Sequence, residues 1–195
     1  MKKDIIHLLA LTSILLWSSC CTNKVKPVIE PDKDIETRIE KILSGMTLEE
    51  KVGQMAQITI TVIQNNDKDG NPQWIPSMLD SVITKYKAGS ILNVINEQAQ
   101  TRKLTSDMIK ELQEKSMKEL GIPCLYGLDQ IHGASYIADA TLFPQEINVA
   151  ATFNREHAFN MGEVTAYESR AALNPWSFSP TLDLGRDQRW PRLWE

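Results

Sequence analysis

Two hydrophobic patterns alternate along the chain. One consists of short runs typical of strands, and the other of longer segments in which apolar residues recur at helical spacing. Strand-like runs, apolar or rich in β-branched residues, cover residues 57–63, 89–95, 124–128 and 176–184. Segments with apolar residues near every 3.6 positions predict helices over residues 35–43, 48–55, 75–86, 102–120 and 154–172. Residues 65–72 are rich in turn formers and predict a loop. Strands that alternate with helices in this way predict parallel βα units.

Local signals support several of these boundaries. Thr47 followed by Glu50 has the pattern of a capping box at the start of the helix over residues 48–55. Gly121 is predicted to end the helix over residues 102–120. Asp34 and Asn154 are predicted to cap the first and last helices. For the last helix, the spacing predicts four inward-facing residues: Ala158, Met161, Val164 and Ala171.

The polar residues that follow the predicted strands favour a (β/α)8 barrel of the TIM type within the α/β class. Functional groups in such barrels lie at the carboxyl ends of the strands, and Asp129 follows the strand 124–128 directly. No glycine-rich dinucleotide or phosphate loop follows any predicted strand. A whole barrel takes roughly 250 residues, so the body of this chain corresponds to an N-terminal portion, an incomplete barrel.

Composition and charge narrow the function classes. The chain has 195 residues, 42% hydrophobic and 24% charged, which is typical of a globular protein. The net charge is −4 without a basic run, so a nucleic-acid partner is not expected. Three histidines and three cysteines show no metal-ligand spacing, so we expect neither a metal nor another cofactor.

The N-terminus has the pattern of an export signal. Lys2 and Lys3 precede an apolar stretch over residues 5–17, which is too short to span a bilayer. Small residues then lead to Cys20, and residues 15–20 resemble a bacterial lipobox, which would make Cys20 the lipidated mature N-terminus. The alternative is an ordinary cleaved signal with an incidental cysteine.

This pattern predicts a signal peptide over residues 1–19, a tether over 20–34 and a barrel portion over 35–195. We therefore expect an exported protein, periplasmic or membrane-anchored, that meets the membrane only through a lipid anchor. The oligomeric state stays open.

Two clusters carry candidate chemistry. Asp129 and His132 lie just after a strand, where a carboxylate can accept hydrogen bonds from neighbouring sugar hydroxyls. Their alternative role is to cap the turn that follows the strand. The second cluster combines aspartates and arginines that could bind a polyhydroxy substrate or form only a structural ion-pair network: Asp183, Arg186, Asp187, Arg189 and Arg192.

Five stretches in order resemble glycoside hydrolase family 3 of the β-glucosidase type. They are residues 46–55, 88–93, 121–133, 142–145 and 178–190. The resemblance covers roughly residues 35–195 and implies a retaining β-glycosidase with a (β/α)8-type N-terminal domain. It also implies that Asp129 and Arg192 bind the non-reducing sugar. The family usually has glycine where this chain has Pro191, beside Arg192.

Retention needs two carboxyl groups about 5–5.5 Å apart, a nucleophile and an acid/base. The resemblance implies that the nucleophile is an Asp on a later barrel strand and that the acid/base comes from a further domain or loop, so both are expected in regions beyond residue 195. This chain by itself is therefore expected to be inactive. Alternatives are a β-xylosidase or an N-acetylhexosaminidase of the same family, or a non-catalytic carbohydrate-binding lipoprotein.

Overall fold

The computed structural model describes residues 31–95, 98–182 and 185–194 of the chain. The chain divides into two units, residues 1–45 and 46–195, and each is described by itself. The predicted signal peptide over residues 1–19 and the predicted lipidation site Cys20 lie outside the described residues. Of the predicted tether, only residues 31–34 are described. Among the helices of the described residues, none is both long enough and apolar enough to cross a membrane.

The described part of the first unit contains one helix, α1 (Lys33–Gly45). Its cap is Asp32, whose carboxylate accepts hydrogen bonds from the backbone N–H groups of Asp34 at 2.9 Å and Ile35 at 3.2 Å. The prediction of Asp34 as the cap was therefore wrong by two residues. The apolar residues of α1 lie along one side as the 3.6-residue spacing predicts, and all are exposed: Ile35, Ile39, Ile42 and Leu43.

The second unit alternates helices and strands. In chain order its elements are α2 (Leu48–Gln54), β1 (Gln57–Thr59), β2 (Gln64–Asn66), β3 (Pro72–Trp74), α3 (Pro76–Leu79), β4 (Ser90–Leu92), β5 (Gln100–Thr101), α4 (Arg102–Leu120), β6 (Leu125–Leu128), β7 (Ile137–Ala138), α5 (Glu146–Ala150), α6 (Arg155–Ala171) and β8 (Trp176–Ser177). A π-helical segment, Asp80–Lys85, continues α3. At α2, Thr47 and Glu50 form the predicted capping box.

Four strands form one parallel sheet in the order β1-β4-β6-β8. Helix α3 connects β1 to β4, α4 connects β4 to β6, and α6 lies between β6 and β8. Neighbouring strands in the sheet are thus successive βα units, as in the first half of a TIM-type barrel. The prediction of an incomplete (β/α)8 barrel in the α/β class is confirmed.

The main core lies between this sheet and the helices. Ile91 of β4 pairs with Tyr126 of β6, and both are fully buried. They belong to one apolar cluster with Leu128 and with Ile109 and Leu112 of α4. Because strand side chains alternate between the two faces, Leu125 and Gly127 face the opposite side of the sheet.

The predicted strand 57–63 was too long. It ends at Thr59, and Ile60–Val62 form one 3-10 turn. Ile60 and Ile63 are both fully buried. The buried residues are therefore three positions apart, as in a 3-10 turn, and not two apart, as in a strand. The predicted loop over 65–72 instead contributes to the antiparallel β2–β3 hairpin.

The C-terminal predictions also needed correction. The predicted strand 176–184 is regular only at Trp176–Ser177, and a cis Ser179–Pro180 peptide bond follows. Residues 183 and 184 lie outside the described residues. On α6, Met161 is buried and Val164 half-buried as predicted, but Ala158 and Ala171 are exposed.

Candidate functional site

Asp129 lies at the carboxyl end of β6. It is half-buried between Leu128 and Gln130, which are both 0% exposed. Leu128 points to the helix side of the sheet, so the alternation of side chains places Asp129 on the same side as Gly127. Within the described part of the chain, no hydrogen bond or ion pair occupies the Asp129 carboxylate.

Two aromatic rings cover the backbone just before Asp129. Gly127 pairs with Trp176 of β8, and the backbone N–H of Phe178 donates to the carbonyl of Leu128 at 3.0 Å. The rings of Trp176 and Phe178 meet edge to face, with centroids 5.0 Å apart. The two rings therefore form an apolar wall over Gly127, two residues before Asp129.

This close approach requires glycine at position 127. A Cβ atom there would lie 2.5 Å from two ring carbons of Phe178 and 3.2 Å from Trp176 Cε3. Both rings sit over the bare backbone because no side chain separates them from it. Because Gly127 has no Cβ atom, the two rings of the aromatic wall can lie directly against its backbone.

Gln130 fixes the chain on the other side of Asp129. Its Oε1 accepts a hydrogen bond from Ser169 Oγ of α6 at 2.6 Å, and this hydroxyl shares its one proton with the Thr165 carbonyl, also at 2.6 Å. With the Asn174 amide oriented so that its nitrogen donates to the Tyr126 carbonyl at 2.7 Å, its oxygen accepts from Gln130 Nε2 at 2.9 Å. The carboxamide of Gln130 thus has a partner at each end, and the backbone that carries Asp129 is held against α6.

The loop after Asp129 folds back on itself. His132 Nδ1 lies 2.9 Å from the carbonyl of Phe143, and the backbone N–H of Phe143 donates to the His132 carbonyl at 2.9 Å. A carbonyl oxygen can only accept, so Nδ1 carries the proton. His132 therefore closes the loop, and its Nε2 is left for other contacts.

Gly133 and Glu168 complete this closure. Gly133 has φ of +108°, and a Cβ there would lie 2.2 Å from the carbonyl oxygen of Thr141. The carboxylate of Glu168 on α6 accepts from the backbone N–H of Thr141 at 2.8 Å and from its hydroxyl at 2.9 Å. Both ends of the loop that begins at Asp129 are thus fastened to α6.

The turn after the neighbouring strand β4 is bonded to β6. Asn93 follows β4 in a left-handed conformation with φ of +69°, and its carbonyl accepts a hydrogen bond from the Tyr126 hydroxyl. Burial of this hydroxyl raises the pKa of Tyr126 well above the usual range, so it stays a donor. The turn after β4 is held firmly beside β6.

Arg192, the second predicted sugar ligand, lies in an exposed turn over residues 191–194. The turn is attached to α5, since the Trp194 carbonyl accepts from the N–H of Ile147 at 3.1 Å. Among the described residues, no hydrogen bond or ion pair joins Asp129 to Arg192.

In the predicted Arg–Asp cluster, Asp187 pairs with Arg189, with Nη2 and Oδ2 2.5 Å apart. This hydrogen-bonded pair lowers the pKa of Asp187 and raises that of Arg189. Both side chains are exposed, so the pair orders the turn locally. Asp183 of the same cluster lies outside the described residues.

A groove of about 570 Å³ lies on the helix side of β8. Its lining includes Gln130, Ser169 and Asn174 with many small apolar residues of α6, but not Asp129. Ser177 lines it too, and Ser177 faces the side opposite to Trp176. The Asp129 carboxylate and the aromatic wall lie on the other face of the sheet, so this groove is not part of the candidate site.

The sequence patterns did not reveal the roles of Gln130 and Phe178. A polar residue two positions after a buried strand was the available signal for Gln130, and a second aromatic two positions after Trp176 was the signal for Phe178. In the part of the chain that the structure describes, no three His, Cys, Asp or Glu side chains form a group that could hold a metal.

Comparisons with known proteins agree on one family. The profile described as "Glycosyl hydrolase family 3 N terminal domain" matches residues 47–195. The chain is 34% identical over 174 residues to the lysosomal beta glucosidase of Dictyostelium discoideum, covering 82% of this chain. It is 27% identical over 159 residues to the periplasmic beta-glucosidase of Salmonella typhimurium strain LT2, covering 80% of this chain.

A solved structure shows the same fold. The exo-1,3/1,4-beta-glucanase from a Pseudoalteromonas species superposes with a TM-score of 0.68 at 30% identity, over 84% of this chain and 20% of that one. This chain spans 20% of the length of the Dictyostelium relative and 18% of the Salmonella one.

Proposed function

Because this chain belongs to glycosyl hydrolase family 3, we propose that it supplies part of the sugar-binding edge of an exported β-glucosidase. The whole protein would remove terminal non-reducing β-linked glucosyl residues with retention of configuration. In this proposal the chain holds the non-reducing sugar, while the nucleophile and the acid/base come from other parts of the protein.

The observation that supports this proposal is the state of the Asp129 carboxylate. It is half-buried at the carboxyl end of β6, and within the described residues no donor satisfies it. A partly desolvated carboxylate gains most from charge-assisted hydrogen bonds, and vicinal sugar hydroxyls supply two donors at suitable spacing. The adjacent rings of Trp176 and Phe178 offer an apolar surface for the C–H face of a sugar.

Arg192 is proposed as the second ligand of the same sugar. A guanidinium group presents several N–H donors in a fixed plane, which suits the hydroxyl oxygens of a pyranose. This role requires the turn over residues 191–194 to bring Arg192 to the Asp129 side of the sheet. Pro191 fixes one backbone angle next to Arg192 and so restricts that turn.

Asp129 is not proposed as the nucleophile. A retaining mechanism needs two carboxyl groups about 5–5.5 Å apart across the scissile bond. Asp129 is instead proposed to bind hydroxyls, and binding that strengthens in the transition state lowers the barrier without covalent chemistry. The isolated 195-residue chain is accordingly expected not to hydrolyse glycosides.

The test uses the whole enzyme and an aryl β-glucoside. Asp129→Ala should lower kcat/KM by roughly 100-fold or more, because it removes charge-assisted hydrogen bonds worth about 3 kcal/mol in the transition state. Asp129→Asn keeps the shape and removes the charge, so its kcat/KM should fall between those of Asp129→Ala and the wild type. Asp139→Asn, an exposed change at a left-handed position in the same loop, is the matched control and should leave kcat/KM near wild type.

A near-wild-type Asp129→Ala enzyme would contradict the role of Asp129. Parallel assays with aryl β-xyloside and aryl N-acetyl-β-glucosaminide test the substrate class separately. Faster turnover of either would replace glucoside as the substrate and leave the role of Asp129 intact.

Export and lipidation are proposed from Cys20 and the apolar stretch before it. Metabolic labelling with palmitate should mark the wild-type protein and the Cys21→Ser variant but not Cys20→Ser. Equal labelling of all three proteins would contradict Cys20 as the modified residue.

A further inference from the structure

We propose that Gln130 is a positioning residue for the Asp129 carboxylate, and that it acts through buried hydrogen bonds on the opposite face of the sheet. This inference rests on the proposed role of Asp129 in sugar binding. It adds a residue that does not touch the sugar and yet determines how well Asp129 is placed to bind it.

The backbone at Asp129 lies just beyond the end of the strand ladder. The last residue of β6 is Leu128, which pairs with Ser177 of β8. The sheet therefore holds Asp129 on its N-terminal side, and other contacts have to hold it on its C-terminal side. The nearest of these along the chain are the side-chain hydrogen bonds of Gln130.

Three elements meet at the carboxamide of Gln130, which is 0% exposed. Its Oε1 accepts from Ser169 Oγ in the last turn of α6 at 2.6 Å, and the Thr165 carbonyl shares that proton. With its amide nitrogen towards Tyr126, Asn174 donates to the Tyr126 carbonyl at 2.7 Å and accepts from Gln130 Nε2 at 2.9 Å. The network thus joins the end of β6, the end of α6 and the segment before β8.

Hydrogen bonds of this kind restrict the backbone more narrowly than apolar packing does. Ser169 and Asn174 are 4% and 1% exposed, so water does not replace either partner. A methionine would fill about the same space as Gln130, but its flexible side chain makes contacts without a preferred direction. Without the network the backbone at Asp129 could shift, and a misplacement of about 1 Å can cost about 100-fold in rate.

Gln113 provides a matched comparison at the other end of the same strand. Its carboxamide also bonds at both ends, in this case to the backbone of Cys124, whose N–H donates to Oε1 at 3.0 Å. Cys124 lies directly before β6, at the amino end of the sheet. In TIM-type barrels that end serves stability, so loss of the Gln113 bonds should not displace Asp129.

The test measures kcat/KM of the whole enzyme on an aryl β-glucoside, at a temperature where every variant is folded. Gln130→Met removes both polar ends of the carboxamide and should lower kcat/KM by roughly 10- to 100-fold. Gln113→Met removes the same groups at the amino end of β6. Its Tm should also fall, but its kcat/KM should stay near the wild-type value.

A double-mutant cycle with Asp129→Ala separates positioning from general damage to the structure. If Gln130 acts through Asp129, Gln130→Met should have almost no further effect on kcat/KM once residue 129 is alanine. A purely structural role would give the same fold-loss in both backgrounds. If Gln130→Met does not fold, Ser169→Ala replaces it in the cycle, because it removes one partner of Gln130; its smaller loss should likewise vanish in the Asp129→Ala background.

The outcomes distinguish this inference from the proposed function. A wild-type kcat/KM in Asp129→Ala would overturn the role of Asp129, and the positioning role with it. If Asp129→Ala is impaired as expected, three results would each overturn the positioning role alone. They are a wild-type kcat/KM in the variant used for the cycle, an equal loss in Gln113→Met, and equal fold-losses in the two backgrounds.

Discussion

Gln130 Oε1 accepts a hydrogen bond from Ser169 Oγ at 2.6 Å, which ties the residue next to Asp129 to a helix 39 residues further along the chain. Both side chains are more than nine-tenths buried. In such a setting each partner depends on the other, because water cannot replace the lost contact. The backbone next to Asp129 is thus held by a pair of side chains that does not itself face the Asp129 side of the sheet.

Ser169→Ala should destabilise the protein by about 1–3 kcal/mol, because it leaves Gln130 Oε1 buried with one donor fewer. The measurement is urea unfolding followed by tryptophan fluorescence. Ser106→Ala on α4 is the matched control: it removes a hydroxyl that bonds only within its own helix, to the Lys103 carbonyl at 2.9 Å. Equal losses in the two variants would contradict a special role for the Gln130 contact.

The elements with strong local signals were predictable from sequence. Helix α4 has the predicted bounds, because Gly121 ends it in a left-handed conformation with φ of +68°. The capping box of Thr47 and Glu50 formed as expected. In both places neighbouring residues in the chain determine the structure, so tertiary contacts do not have to be known.

Gly127→Ala should disturb the aromatic wall. Its new Cβ would overlap the ring of Phe178 at 2.5 Å, and overpacking of this kind costs about 1–3 kcal/mol. The double variant Gly127→Ala with Phe178→Leu should recover part of the loss, since the smaller side chain makes room for the methyl group. Thermal unfolding of the single and double variants measures this. If the double variant loses more stability than the two single variants lose together, the steric explanation is contradicted.

The missed parts of the site depend on contacts between residues far apart in sequence. Phe178 matters because β8 pairs with β6, and its position over Gly127 cannot be inferred from either segment alone. The same holds for Gln130, whose partners Ser169 and Asn174 lie at the end of a later helix and just beyond it. Sequence patterns located the strand end that carries Asp129, and tertiary packing determines what surrounds it.

The thiol of Cys124 should be unreactive in the native protein. The residue is 2% exposed, and burial raises its pKa from 9.0 to about 12. At pH 8 the thiolate, which is the reactive form, is therefore nearly absent. As the pH rises above 9, the unfolded thiol ionises before the folded one, so this group favours unfolding increasingly up to about pH 12.

The measurement is labelling with a disulfide reagent at pH 8 in a Cys20→Ser, Cys21→Ser background. Labelling should be slow in buffer and complete in denaturant. Rapid labelling of the native protein would show that Cys124 is reachable and ionised.

His132→Ala should loosen the loop that begins at Asp129. The change removes the Nδ1–H bond to the Phe143 carbonyl, and the loop keeps its backbone contacts, the side-chain bonds of Gln130 and the bonds from Thr141 to Glu168. Loss of about 1 kcal/mol should raise the open population, and with it the rate of limited proteolysis between residues 132 and 143, about fivefold. His157→Ala, an exposed histidine on α6, is the matched control and should be cleaved at the wild-type rate. Because Asp129 is three residues before His132, kcat/KM of the whole enzyme should fall in His132→Ala and not in His157→Ala. Equal cleavage rates in the two variants would show that the backbone contacts alone close the loop.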